Sequence, residues 1–338
     1  MLVGGAGDQQ QQGVAVHVDA SLAIVAARAF GGSARSGTSI NQGGQVLNAI
    51  GLVNGGFVAA GDTYPTAAAA EGASWILALD DQLVTRWDRA IDDGVNRTGA
   101  RAVASNGTRA LVGSYAHPTA STTVLRISAF DDQSTTVTSA WVRQLDQLVA
   151  GAAVTEGVTA IARTAAGDYW VAGFSDTSGG FAGQVVKLDA AGALVTAVRL
   201  EGADDPILRT VVATADGGCV VAGDAGDHGL VAKLDASGAV TWQQAIGTTA
   251  TSRITAAAAA PDGSIVLVGA HSADAWLVRL PSVDARPKDF GTAATTSVVA
   301  ETPASTTPVT HAATWTSTSD TWAPTITELA TLPVNPAP

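Results

Sequence analysis

The apolar positions of the chain fall into short runs that recur at nearly regular spacing. Five of these runs have the forms NGGFVAAG, SNGTRALVG, AAGDYWVAG, DGGCVVAG and PDGSIVLVG. Each run closes on a glycine, and these glycines are 52, 60, 50 and 46 residues apart: Gly61, Gly113, Gly173, Gly223 and Gly269. Self-similarity at such a period indicates one supersecondary unit that is copied along the chain.

A second apolar run follows each glycine and keeps the same pace. It ends before a polar turn, as in LVAKLDASGAV, and its last apolar residues are Leu79, Phe130, Leu188, Leu234 and Leu280. One unit therefore reads as four short strands, TVVATA, CVVAG, LVAKLD and AVTWQQAI. Four-stranded units of about 40 to 50 residues are typical of propeller blades. The pattern predicts an all-β fold, a β-propeller of four-stranded blades.

The boundaries of the propeller are placed where the repeat motifs are no longer recognisable in the sequence. Residues 1–13 are interpreted as an N-terminal extension, and residues 14–291 as the blades. Within the first, trimmed blade, VDASLAIVAA is taken for a turn and a second strand. Residues 292–338 are rich in Thr, Ala, Ser and Pro and predict a degenerate closing blade or a tail packed on the propeller. Seven blades are preferred, with six as the alternative.

Several recurring residues are assigned to the fold itself. The acidic residues Asp80, Asp131, Asp189 and Asp235 follow equivalent strands and are expected to shape turns. Cys219 lies inside an apolar run, so a buried and inert thiol is expected. Packing between blades is expected for Trp75, Trp87, Trp170, Trp242 and Trp276.

Charge and hydropathy narrow the possible partners. The chain has 30 acidic against 18 basic residues, a net charge of -12, so a nucleic acid would be repelled. No apolar run reaches the roughly 18 residues of a transmembrane helix, so membrane association is expected only through a partner. No export signal is visible at the start of the sequence.

The residues EGADDPILRTVVATADGGCVVAGDAGDHGLVAKLDASGAVTWQQAIG resemble a known class of repeat. They are similar to bacterial β-propeller repeat proteins with D-G-G-x-x-V-x-G and W-L-V-K-L-D-x-x-G-x-V-x-W lines, which look related in shape to quinoprotein-like blades. The resemblance is clearest over 159–280 and weaker over 48–144. Such proteins are often exported or surface-bound, so the resemblance implies an extracellular or periplasmic location.

The loops that join second to third strands, and fourth strands to the next blade, would emerge on one face of a propeller. Much of the acidic excess lies in these loops, which favours a surface that binds a protein partner. The assigned residues are Asp62, Asp92, Asp93, Asp176, Asp204, Asp205, Asp224, Asp227 and Asp274. Calcium is a further candidate ligand, with GDAGDHG as the nearest sequence to a calcium loop.

Three histidines, His117, His228 and His271, come from equivalent loops and could converge on a metal ion. Motifs for a serine nucleophile, a phosphate loop or a zinc protease are missing from the sequence. The expected function is therefore a non-catalytic scaffold or binding module that docks a protein partner, as a surface protein or an accessory subunit of a larger assembly. The alternative is a metal-dependent hydrolase or lyase with its site at the axial mouth of the propeller.

Overall fold

Strands account for all the regular structure that we describe, as the alternating sequence pattern predicts. The computed structural model describes residues 2–6, 12–21, 23–31, 46–63, 73–91, 98–119, 122–134, 136–145, 148–149, 152–153, 155–177, 180–202, 204–246, 252–271, 274–280, 297–300 and 325–328. Within these ranges there are 26 strands and no helix. The chain divides into unit 1 (residues 1–117, 129–140 and 310–338) and unit 2 (residues 118–128 and 141–309).

Unit 1 holds two complete four-stranded sheets. The first has the order β1-β2-β3-β26, with β1 Leu2–Ala6, β2 Gln12–Val18, β3 Ile24–Gly31 and β26 Thr325–Glu328. The second is an antiparallel blade in chain order, β4 Val46–Val53, β5 Gly56–Thr63, β6 Ala73–Leu79 and β7 Thr85–Ile91. Both termini of the described chain therefore contribute to the first sheet.

The next blade follows in chain order and is divided between the two units. Its strands are β8 Thr98–Ser105, β9 Arg109–Thr119, β10 Thr122–Asp132 and β11 Val137–Leu145. A short hairpin comes after it, β12 Leu148–Val149 and β13 Ala152–Ala153.

Unit 2 continues the pattern with three more sheets. One blade contains β14 Thr155–Arg163, β15 Tyr169–Thr177, β16 Gly180–Leu188 and β17 Leu194–Glu201, with β25 Ser297–Ala300 on its outer edge. The second contains β18 Ile207–Ala213, β19 Cys219–Ala225, β20 His228–Leu234 and β21 Val240–Ile246. The third contains β22 Ser252–Ala259, β23 Ile265–His271 and β24 Asp274–Leu280. The predicted class, all-β with four-stranded propeller blades, is confirmed, and the number of blades stays a prediction.

A β-bulge interrupts the first strand of all five repeat units, opposite or next to the repeat glycine. The register with the second strand shifts around one extra residue in each unit: Asn48, Arg101, Thr159, Arg209 and Thr255. In two neighbouring pairs of blades the bulge side chain bonds to the next blade. Asn48 Nδ2 donates to the Ala100 carbonyl at 2.9 Å, and Thr159 Oγ1 donates to the Leu208 carbonyl at 2.8 Å.

The close approach at the bulge explains why the repeat closes on glycine. A Cβ atom at Gly173 would lie 2.0 Å from the Gly157 carbonyl oxygen, and one at Gly223 would lie 2.0 Å from the Ile207 carbonyl oxygen. At Gly269 the corresponding distance is 1.9 Å, to the Arg253 carbonyl oxygen. Because these obstacles are backbone atoms, no side-chain rotation can relieve them.

Apolar side chains fill the space between successive blades within each unit. Four of the five predicted tryptophans, Trp75, Trp87, Trp170 and Trp242, are buried, and the side chain of Trp276 lies outside the described residues. Cys219 is fully buried, and burial raises the pKa of its thiol far above the ordinary value, which confirms the inert interpretation.

Buried lysines tie the turns of unit 2 to its third strands. The Lys233 side chain is 1% exposed, and its Nζ donates to Asp216 Oδ2 at 2.7 Å and to the Leu234 carbonyl at 2.8 Å. Lys187 Nζ lies 3.6 Å from Asp168 Oδ2 and 5.2 Å from the Trp170 ring centroid. It also donates to the Ala236 carbonyl at 3.0 Å, in a turn of the next blade. These lysines follow the repeat because they occupy the K of its KLD motif.

The turns after the third strands share one acidic device. In Asp80, Asp189 and Asp235, Oδ1 accepts the backbone N–H groups two and four residues ahead, as predicted. In the fourth turn the role belongs to Asp132, whose Oδ1 accepts Ser134 N–H at 3.1 Å, whereas Asp131 pairs with Arg109. The prediction for Asp131 was therefore displaced by one residue.

The same device corrects the interpretation of VDASLAIVAA. Asp19 Oδ1 accepts N–H groups from Ser21 and Ala23, so this turn joins a third to a fourth strand and not a first to a second. Leu2–Ala6, within the predicted N-terminal extension, pairs with β2. Of residues 292–338, the described strands β25 and β26 pair with β17 and β3.

We expect Gly223→Ala to lower the free energy of unfolding by about 3 kcal/mol, because the new methyl group meets backbone at the bulge. The control Gly263→Ala has open space around its Cβ and φ of 81°, so about 1–2 kcal/mol of backbone strain is expected. Urea unfolding of both variants measures the difference. Equal losses would contradict the role assigned to the bulge.

Acid should weaken the fold partly through Asp216. Burial raises the pKa of this carboxyl, but hydrogen bonds from Lys233 and Thr214 outweigh burial and lower the pKa from 3.8 to about 2. Between those values the unfolded chain binds more protons than the folded chain, so stability is lost as the pH falls. Asp216 is half exposed, so solvent reduces this contribution to about 1 kcal/mol or less. Asp216→Asn should flatten the stability profile between about pH 4 and about pH 2, and an unchanged profile in urea titrations would contradict the assignment.

Candidate functional site

One end of the unit 1 blades carries a cluster of polar groups that we call the Arg101 site: Asn48, Asp62, Gly99, Arg101 and Tyr115. Asp62 directly follows the repeat glycine of β5, and Arg101 is the bulge residue of β8. Tyr115 lies in β9, opposite Gly99. The bulge turns Arg101 out of the strand alternation and towards Asp62 of the preceding blade.

The guanidinium of Arg101 is fixed from two directions. Its Nη1 donates to Asp62 Oδ2 at 2.5 Å, and its central carbon lies 5.1 Å from the centroid of the Tyr115 ring. Gly99 makes room for this arrangement, since a Cβ there would lie 2.5 Å from Asp62 Oδ1 and 2.6 Å from the Tyr115 ring. Asn48 Nδ2 adds a long contact of 3.5 Å to Asp62 Oδ2. The result is a preorganised arginine.

Exposure separates the roles of the two charged groups. The Asp62 side chain is 14% exposed, and its Oδ1 is buried without a hydrogen-bond partner among the described residues. The Arg101 side chain remains 35% exposed. Asp62 therefore acts as a positioning residue, and Arg101 is the group that a ligand can reach.

Unit 2 repeats the arginine–carboxylate pair at the next arginine bulge. Arg209 Nε donates to Asp224 Oδ2 at 2.6 Å, with the side chain of Arg209 38% and that of Asp224 10% exposed. Asp224, like Asp62, directly follows a repeat glycine. Both carboxylates are largely buried and ion-paired, so neither lies on an open acidic rim. Their assignment as partner-binding residues stays a prediction.

The remaining acidic residues do not form a metal site in the described part of the chain. Exposed positions are occupied by Asp176, Asp204, Asp205 and Asp227. Asp205 Oδ1 accepts the backbone N–H of Phe181 at 3.2 Å, which ties one loop to the preceding hairpin. No group of three or more His, Cys, Asp or Glu side chains that could hold a metal ion occurs among the described residues, so neither the calcium nor the zinc hypothesis gains support there.

The other predicted residues are only partly described. His228 opens β20 and is half-buried. His117 and His271 lie near the ends of β9 and β23, and Asp274 opens β24 opposite His271, but their side chains lie outside the described residues. Asp92 and Asp93 also lie outside them.

Sequence reasoning missed the arginines because it searched for functional groups only in the loops between strands. A signal was nevertheless present: a polar residue stands 12 to 14 positions before each repeat glycine, in a strand that is otherwise largely apolar. The charged members of that set are Arg101 and Arg209. Its uncharged members are Asn48, Thr159 and Thr255.

No protein-family model matches the chain, and no curated protein does. Solved structures match at low identity. A glycosyl hydrolase from Bacteroides ovatus is 10% identical over 73% of this chain and 86% of its own, with a TM-score of 0.37. A putative glycoside hydrolase from Parabacteroides distasonis is 10% identical over 70% of this chain and 86% of its own, with a TM-score of 0.36. Prolyl oligopeptidase B from Galerina marginata is 11% identical over 85% of this chain and 40% of its own, with a TM-score of 0.41.

These neighbours contradict the expectation of a non-catalytic scaffold, because several of them are named as enzymes that act on glycosides. That expectation is therefore corrected and not carried further. Their TM-scores and identities leave the substrate to be argued from the residues of this chain. Among the described residues there is no helix long and apolar enough to cross a membrane.

The Arg209–Asp224 pair provides a test of the bulge arginines as partners of buried carboxylates. We expect Arg209→Met to cost about 3 kcal/mol of unfolding free energy, because it leaves a buried carboxylate without its cation. Adding Asp224→Asn should recover most of that loss. The control Arg279→Met breaks a pair whose side chains are 59% and 54% exposed and should cost less than about 1 kcal/mol. Chemical denaturation measures all three, and additive losses in the double variant would refute the coupling.

Proposed function

We propose that the protein is a carbohydrate-active enzyme that holds its saccharide at the Arg101 site. The observation that carries the proposal is the position of Arg101, clamped between Asp62 and the ring of Tyr115 while 35% of its side chain stays exposed. A fixed donor of this kind orients a ligand without a large loss of side-chain entropy. The proposal does not rest on the fold, which supports many unrelated functions.

A polyhydroxylated ligand suits the chemistry of the site and of the whole chain. Arg101 supplies donors, the Asn48 amide supplies both donor and acceptor atoms, and Tyr115 supplies an aromatic surface beside them. Few precisely placed polar groups next to an aromatic ring are typical of small-ligand sites. The net charge of -12 disfavours polyphosphates strongly, whereas a neutral sugar meets no such barrier and a sugar with one carboxylate meets a smaller one.

Cleavage of a glycosidic bond needs a pair of carboxyl groups, and we assign Asp92 and Asp93 as candidates. Asp62 pairs with Ser74 across the sheet, and Ser74 pairs with Ile91, the last residue of β7. The backbone N–H of Ser74 donates to Thr98 Oγ1 at 2.9 Å, at the start of β8. The described strand ends, Ile91 and Thr98, therefore lie at the same edge as the Arg101 site. An extracellular or periplasmic location, implied by the resemblance to exported propellers, suits a glycan substrate.

Arg101→Ala tests the proposal. We expect the affinity for a bound oligosaccharide to fall at least about tenfold, because hydrogen bonds from a charged donor contribute about 1.5–3 kcal/mol. Calorimetric titration against a panel of neutral and acidic oligosaccharides measures the affinity, and reducing-end release measures turnover. Asp92→Asn and Asp93→Asn should lower turnover and leave binding nearly unchanged.

The matched control is Arg109→Ala. Arg109 also pairs with a carboxylate, with its Nε 2.6 Å from Asp131 Oδ1, but it is the first residue of β9, whereas Tyr115 lies beyond the middle of that strand. The Arg109→Ala variant should bind saccharides with the same affinity as the unmodified protein. Equal affinities of the Arg101 and Arg109 variants, or no binding of any saccharide by the unmodified protein, would refute the proposal.

A further inference from the structure

The hydrogen-bond donors of Arg101 are not all used within the protein. Nη1 donates to Asp62 Oδ2 at 2.5 Å and to the Ala100 carbonyl at 3.3 Å, which occupies both of its hydrogens. Nη2 has only a long contact of 3.5 Å to the Tyr115 hydroxyl, and Nε has no acceptor in the described part of the chain. The donors that remain are Nε–H and one or both of the Nη2 hydrogens.

Nε and Nη2 lie on one edge of the planar guanidinium, with nearly parallel N–H bonds. Two parallel donors match the two oxygens of a carboxylate, and this bidentate pairing is the strongest use of an arginine edge. The guanidinium carbon lies 5.1 Å from the centroid of the Tyr115 ring. The edge is therefore the part of Arg101 that remains for a ligand, consistent with its 35% exposure.

From this edge we infer that the substrate is an acidic saccharide whose sugar carboxylate, as in a uronic acid, binds Nε and Nη2 of Arg101. The inference rests on the proposed function and specifies its substrate class. A single hydroxyl group would use one of the two donors and leave the other without a partner on binding. The net charge of -12 repels a doubly charged phosphate more strongly than a carboxylate, because the carboxylate carries a single negative charge.

Asp62 makes the edge specific as well as rigid. Its buried carboxylate binds Nη1 and leaves the Nε–Nη2 edge without a carboxylate partner in the described part of the chain. A lysine at this position would keep the positive charge and lose the two-donor edge. The preference for a carboxylate should therefore depend on the shape of the arginine and not on its charge alone.

The first experiment uses the unmodified protein. A panel of uronic-acid disaccharides is titrated by calorimetry, each beside its neutral counterpart of the same linkage and beside its methyl ester. We expect at least one uronate to bind about tenfold or more tightly than both its neutral and its esterified partner. Esterification removes the charge without altering the protein, so this comparison does not depend on the folding of any variant.

Arg101→Lys is then compared with the control Arg109→Lys, after thermal melting confirms that both are folded. The Arg101 variant should lose the preference for the uronate, and the control should keep it. Equal affinity for acidic and neutral sugars, a stronger preference for sulfated or phosphorylated sugars, or a preference that survives Arg101→Lys would overturn the inference. Arg101-dependent binding of neutral sugars without preference would overturn the inference alone, whereas no binding of any saccharide would overturn the proposed function too.

Discussion

The approach of two backbones at the bulges facing Gly173, Gly223 and Gly269 is the constraint on which the rest of the structure depends. A carbonyl of the first strand lies where a Cβ of the facing residue would be, at 2.0 Å for Gly173 and Gly223. Glycine is therefore required at the end of the repeat motif, and the extra residue of the bulge leaves the strand alternation. The glycine that closes the repeat motif is thus explained by the geometry of the blade.

The bulge also links packing to function. Where the extra residue is Asn48 or Thr159, its side chain bonds to the next blade and holds two sheets together. Where it is Arg101 or Arg209, the same position presents a cation that a buried aspartate fixes. The bulge position thus carries a guanidinium group that reaches solvent. Its partner Asp62 keeps one carboxylate oxygen, Oδ1, buried without a hydrogen-bond partner among the described residues.

The sequence was sufficient to predict the blades, because glycine, apolar alternation and acidic turns all recur with the repeat. Local hydrogen bonds of Asp80, Asp189 and Asp235 confirm that such short-range chemistry can be read from one chain. The site could not be read in the same way. Asp62 and Arg101 are 39 residues apart, and only the packing of two blades reveals that they form a pair. Formal charge alone placed Asp62 and Asp224 on an open rim, since sequence carries no direct record of burial.

A crystal structure of the protein soaked with a uronic-acid disaccharide would test the central claim most directly. The account predicts a sugar carboxylate within hydrogen-bond distance of Nε and Nη2 of Arg101, with the Asp62–Arg101 ion pair retained. A saccharide bound elsewhere, with the edge of Arg101 contacting only water, would contradict it.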